Sequence, residues 1–199
     1  MNHRQWAGLA LFVGGAQFLL GLLIAETLYP GYSVALNYIS DLGVGPEPSR
    51  TIFSVSVFLF GLLGVAASAL LLRSRGDRVV PYMLLLSGLG AMGVGLINEG
   101  VPPYHTLVAF LAFFMGGLAA VFSYRLVGWP LGLLSAGLGL IGLAALVLTG
   151  TGSDLGMGKG GIERMVLYPS LTWLIGLGAV LVSQNGEAGP QNGSNGPAR

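Results

Sequence analysis

Six runs of apolar residues, each close to the length of a membrane crossing, constrain this chain more than anything else in it. A spanning helix needs roughly 20 apolar residues. The runs are Trp6 to Leu28, Thr51 to Leu72, Val79 to Asn98, His105 to Tyr124, Pro130 to Thr149 and Glu163 to Ser183. In lipid, each segment must satisfy its own backbone hydrogen bonds, so each run is expected to be a helix. The expected fold is all-α, an integral membrane bundle of six transmembrane helices. Residues 1–183 read as one transmembrane domain, and 184–199, rich in Gly, Asn and Pro, as a disordered cytoplasmic tail. Only 9% of the residues are charged, where a soluble domain carries about 25%. So few charges cannot clothe a water-facing surface, and membrane lipid is the expected partner.

The first run resembles a signal peptide, with His3 and Arg4 ahead of it. Its apolar stretch exceeds a signal core of about 7–15 residues, and Glu26 to Pro30 is a poor cleavage site, so it reads as a retained span. The 34 glycines suit close helix contact in lipid. Gly128, Gly132 and Ala136, at four-residue spacing, read as a packing face rather than a nucleotide loop. The chain has no cysteine, which excludes disulfides and thiol chemistry. A net charge of +1 with no large basic cluster gives no case for nucleic acid. No P-loop, G-x-S-x-G elbow or H-E-x-x-H motif is present.

Lysine and arginine set orientation. One set of helix ends carries Arg4, Arg73, Arg75, Arg78, Arg125 and Arg199; the other carries Arg50, Lys159 and Arg164. Both termini are therefore expected in the cytoplasm, in a multi-pass protein of the cytoplasmic membrane. The acids then divide unevenly. Glu26, Asp41, Glu47, Glu99, Asp154 and Glu163 fall outside, and Asp77 and Glu187 inside. A functional site is thus sought at the outer face.

The polar stretch Asn37 to Gly45 lies between the first two runs. Its Ser40-Asp41-Leu42-Gly43 recurs as Ser153-Asp154-Leu155-Gly156 before the sixth. The echo is either a parallel repeat or two similar turns. Asp41, beside Asn37 and Ser40, is a turn-capping carboxylate or else a metal ligand or general base. Glu26 lies within apolar residues, where a carboxylate needs a partner, a polar cavity or the headgroup layer. Glu99 and His105 flank Pro102-Pro103 and can face each other across a hairpin, an arrangement suited to proton transfer. They can also supply two metal ligands with Asp41 a third, or His105 is an interfacial side chain with a bonded neighbour. His3 is the only other histidine, so a three-His site is excluded and any metal site is carboxylate-rich. Glu163-Arg164 opens the sixth run. Arg164 is expected to pair with Asp41, Glu99 or Glu26, or to bind a lipid phosphate or anionic ligand. Arg50 has the same two readings.

Several of these segments together resemble a known family. They are Asn37-Tyr38-Ile39-Ser40-Asp41-Leu42-Gly43, Gly100-Val101-Pro102 with His105, and Gly161-Ile162-Glu163-Arg164 with Leu171-Thr172-Trp173-Leu174. The chain, to about Ser183, resembles the family known as domain of unknown function 998, small prokaryotic multi-span membrane proteins. The resemblance implies about six helices and no activity. It falls on Asn37, Ser40, Asp41, Gly43, His105, Glu163 and Arg164; the second Ser-Asp-Leu-Gly is not part of it.

Three function classes stay open. One is a membrane-embedded enzyme on a lipid or isoprenoid-type substrate, with Asp41, His105 and Glu99 as its catalytic candidates. Another binds or transports a small polar ligand or ion, with Asn37, Ser40, Arg164, Glu163 and Glu26 as binding candidates. The third is a structural or accessory subunit whose cluster is an ion-pair network. A transporter needs a polar path, and Gln17 with a few Ser and Thr is all the inner halves of the runs offer. The sequence leaves the cofactor open.

Overall fold

The computed structural model describes residues 1–184. It contains six long helices: α1 (His3–Thr27), α2 (Ser49–Arg73), α3 (Val79–Leu96), α4 (Pro102–Phe122), α5 (Leu131–Thr151) and α6 (Gly158–Ser183). All six are long and apolar enough to cross a membrane, with mean hydropathy between 1.8 and 2.4 in their most apolar stretches. This is an integral membrane protein. The expected tail falls, apart from Gln184, outside the described residues.

Four helices, α1, α2, α4 and α6, begin earlier than their apolar runs, and for two of them this moves candidate site residues. α4 includes Pro102 and Pro103, because proline suits a first turn whose amides are unpaired anyway. His105 therefore sits in that first turn. α6 starts at Gly158, on a Gly- and Lys-containing turn that hydropathy does not mark, so Glu163 and Arg164 lie inside the helix.

Each helix packs on its neighbours in sequence, and α6 closes the ring on α1. Where they meet, a Cβ on Gly8 would lie 2.6 Å from the Gly178 carbonyl, so glycine is what lets the two backbones touch. The proposed 128–136 packing face does not form as a unit. Gly128 precedes α5 and faces open space, and the close α4–α5 contact is made by Gly117 and Gly139.

The core has two main layers. Leu11, Leu71, Leu84, Trp173 and Leu181 fill the end near Arg73. Phe18, Leu22, Phe53, Leu167 and Leu171 fill the end near Glu26. Ile39 and Leu42, from the α1–α2 loop, are buried in that second layer. The loop thus folds back over the ring. Burying each of these side chains contributes about 1.5–3 kcal/mol to holding it there. Polar side chains along the helices bond to carbonyls of their own or a neighbouring helix. Gln17 donates to the Gly14 and Ser56 carbonyls, and Ser68 to the Pro81 carbonyl. The helix exteriors expose large apolar side chains such as Leu20, Leu23, Leu107 and Val147 to lipid.

Candidate functional site

The site is built by the α1–α2 loop. In its Ser33 to Asn37 turn, Asn37 Oδ1 accepts the Ser33 amide and Ser33 Oγ accepts the Leu36 amide. Asn37 Nδ2 and the Tyr38 amide both donate to Asp41 Oδ2, at 3.0 and 2.9 Å. Asp41 is thereby the carboxylate that shapes the loop into its short 3₁₀ segment, Ser40–Val44. Lys159 lies 3.9 Å from the same oxygen and 4.5 Å from the centre of the Tyr38 ring.

This geometry separates the two Ser-Asp-Leu-Gly stretches. Asp41 accepts from an amide upstream, whereas Asp154 accepts from Gly156 downstream, in a turn with Leu155 at φ 51°. The echo is two different turns, not a structural repeat.

The loop lies directly on α6. The Gly160 amide donates to the Ala35 carbonyl at 2.9 Å, and a Cβ at Gly160 would lie 2.0 Å from the Asn37 carbonyl. One turn on, Arg164 reaches back. Its Nη1 donates to the carbonyls of Val34 and Gly160, each at 2.9 Å. Its Nη2 donates to Glu26 and to the Tyr32 hydroxyl. Of the three expected partners, Arg164 therefore takes Glu26. The Tyr32 hydroxyl donates to the Tyr38 carbonyl, and burial pushes its pKa up to about 12. Arg164, Glu26 and Tyr32 form a closed unit that ties α1, the loop and α6 together.

Glu163 points the other way. It accepts the Ile39 amide and lies 3.4 Å from Ser40 Oγ. Ser40 donates its proton to Glu99. Burial, then the nearby Asp41 charge, hold the Glu99 carboxyl above its usual range, against the opposing Ser40 hydrogen bond.

Glu99 and His105 do not form the expected hydrogen-bonded pair. α3 ends at Leu96, and the Ile97 carbonyl, left without a helical partner, meets His105 Nδ1 at 2.7 Å. Glu99 turns to Ser40 instead. Because a carbonyl only accepts, Nδ1 carries the proton, and whenever the ring is neutral Nε2 is an acceptor. Among the described residues, no group of three or more His, Asp and Glu is placed to hold a metal ion.

Beside this second group a groove of about 520 Å³ opens between α4, α5 and α6. Tyr38, Ser40, Glu99, His105 and Glu163 form its polar end; Phe110, Phe113, Phe114, Leu143, Leu146 and Val147 make up most of the remaining wall, with the hydroxyls of Thr106 and Thr149 among them. A smaller cavity of about 70 Å³ lies inside the ring and shares Ser40, His105, Ala109, Phe113 and Glu163 with the groove. The candidates thus divide. Glu26 and Arg164 bond to each other away from the groove, Asn37 and Asp41 shape the loop, and Ser40, Glu99, His105 and Glu163 border the open space.

A family described as "Protein of unknown function (DUF998)" matches residues 12–180. The chain belongs to the DUF998 family. No curated protein and no solved structure matches it. The DUF998 match spans every site residue from Glu26 to Arg164 and brings no activity with it.

Reading the sequence alone missed Tyr32 and the groove wall. Tyr32 had a signal, since it stands in the loop that carries the other polar candidates. The wall had none, because Phe110 and Val147 look like any other lipid-facing residues until α4 and α5 part around them.

Proposed function

We propose that this protein binds a lipid-like amphiphile in the groove between α4, α5 and α6. Its polar group meets Ser40, Glu99, His105 and Glu163, and its apolar part lies along Phe110, Phe114 and Val147. The observation that carries this reading is the continuity of one groove from a polar end to an apolar wall. Its volume of about 520 Å³ falls in the roughly 300–1,000 Å³ range of ligand pockets. The Thr106 to Phe114 stretch of the wall rises about 12 Å along α4. One leaflet's share of a roughly 30 Å hydrocarbon core is about 15 Å, so the groove matches a chain lying in a single leaflet. The arginine bias of the loops supports a bundle with both termini in the cytoplasm, and so a groove facing the outer leaflet of the cytoplasmic membrane.

The structural reading keeps one half of the cluster. Arg164 bonds to both Glu26 and Tyr32, and the three serve architecture. Transport has no such support, because Gln17 and Ser68 bond to neighbouring carbonyls rather than marking a polar path.

The test is native mass spectrometry of protein extracted from its own membranes in mild detergent. Wild type is expected to retain an amphiphile that Ala109→Trp and Val147→Trp, which fill the groove, do not. Val147 is 66% exposed, so the second variant leaves the core untouched. Equal occupancy of all three folded proteins overturns the reading.

A further inference from the structure

The atoms at the polar end of the groove narrow the ligand class, given the groove reading above. We infer that the head group donates hydrogen bonds and carries no negative charge: a hydroxyl or an ammonium, not a phosphate or carboxylate.

The polar end is made mostly of acceptors. Glu99 and Glu163 bring two carboxyl groups to the groove lining. The one proton of Ser40 is committed to Glu99. His105 is only 7% exposed and commits its Nδ1 proton to the Ile97 carbonyl. Its Nε2 makes no hydrogen bond among the described residues, and this buried ring borders the groove. With the ring neutral, Nε2 is an acceptor beside the groove, and the described residues supply it no donor. Among the described residues, the Tyr38 and Thr106 hydroxyls are the lining donors left uncommitted.

The cations that would receive a phosphate are elsewhere. Arg164 is not part of the lining, and both its Nη atoms are bonded to Glu26, Tyr32, Val34 and Gly160. Lys159 is not part of the lining either; it lies over the Tyr38 ring, 3.9 Å from Asp41. A phosphate seated at the head of the groove would meet two carboxyl groups and no arginine or lysine. An ammonium or hydroxyl would meet Glu99, Glu163 and His105 Nε2 as ready acceptors.

The experiment uses the full chain in nanodiscs and three photoreactive probes with one common alkyl chain. They are an alkylamine, an alkanol and an alkyl phosphate, and labelled peptides are mapped by mass spectrometry. The amine and alkanol are expected to label the 106–114 and 143–150 stretches about tenfold more than the phosphate, the scale of one charge-assisted hydrogen bond. Glu99→Gln, confirmed folded by its melting curve, should lower amine labelling by about the same factor and alkanol labelling less. Phosphate labelling equal to or above that of the amine, or amine labelling unmoved by Glu99→Gln, overturns the head-group inference while the groove stands. Labelling by no probe in these stretches, with label elsewhere on the protein, overturns the groove and the inference together.

Discussion

Arg164 on α6 pairs with Glu26 on α1, 138 residues away along the chain, and this pair closes the helix ring at the end where the loop folds over it. Their side chains are 5% and 13% exposed. A pair so far from water is a poor source of net stability but a costly one to break.

Removing one partner should therefore hurt more than removing both. Arg164→Met is expected to lose about 3–5 kcal/mol, because Glu26 is left buried and unpaired. Adding Glu26→Gln should recover much of that loss. Melting in detergent measures both, and an unchanged midpoint for the single variant would remove the pair from the account.

Gly160→Ala tests how the loop is seated. The new methyl would lie 2.0 Å from the Asn37 carbonyl, backbone that cannot swing aside. The loop should lift from α6 at a cost of about 1–3 kcal/mol. Faster proteolysis within residues 28–39 is the expected readout; wild-type cleavage rates would mean the loop does not depend on this contact.

His105→Ala leaves the Ile97 carbonyl unpaired and should cost about 1–3 kcal/mol. The fold should survive, since His105 is held by one hydrogen bond at the head of α4. Groove occupancy should be lost. A variant that melts lower yet keeps its bound amphiphile would confine His105 to a structural role.

Stability should also depend on pH through Glu99. Its folded pKa lies above the ordinary value of 4.5. Between those two values the folded state binds more protons than the unfolded one, so stability falls as pH rises through the window. The melting midpoint should drop as pH rises above 4.5, and Glu99→Gln should flatten that slope. Asp77 has the opposite sign. Burial raises its carboxyl, but hydrogen bonds from the Val80 amide and Arg125 outweigh this and hold it below 3.8. Its contribution is lost only as pH falls below that value, so Asp77→Asn should leave the upper slope unchanged.

Orientation has a clean test because the chain has no cysteine. Ser74→Cys should be shielded from an impermeant thiol reagent in intact cells, and Ser153→Cys should be labelled. The reverse pattern would invert the bundle and move the groove to the inner leaflet.

Depth and charge led to Glu26, Glu99, His105, Glu163 and Arg164 directly from the sequence, because an ionisable group among apolar residues has few tolerable environments. Partner choice was not legible in the same way. Glu99 and His105 are close in sequence, yet each bonds elsewhere, because the end of α3 presents the Ile97 carbonyl and the loop presents Ser40. Asp41 and Asp154 sit in matching words of sequence and adopt different turns, since only the first loop buries an isoleucine and a leucine under the ring.

What the sequence determined by itself was the solvent and the architecture. Six apolar runs with so few charges require lipid, and lipid requires that each run satisfy its own backbone as a helix. What only the tertiary structure decided was which polar groups are closed off and which stay open. Neighbouring residues Glu163 and Arg164 face different surroundings, because successive side chains on a helix point in different directions. Arg164 meets Glu26 and is sealed, while Glu163 turns to Ser40 and the groove. That division depends on how α6 is rotated against α1 and the loop, and packing contacts far apart in the chain set that rotation.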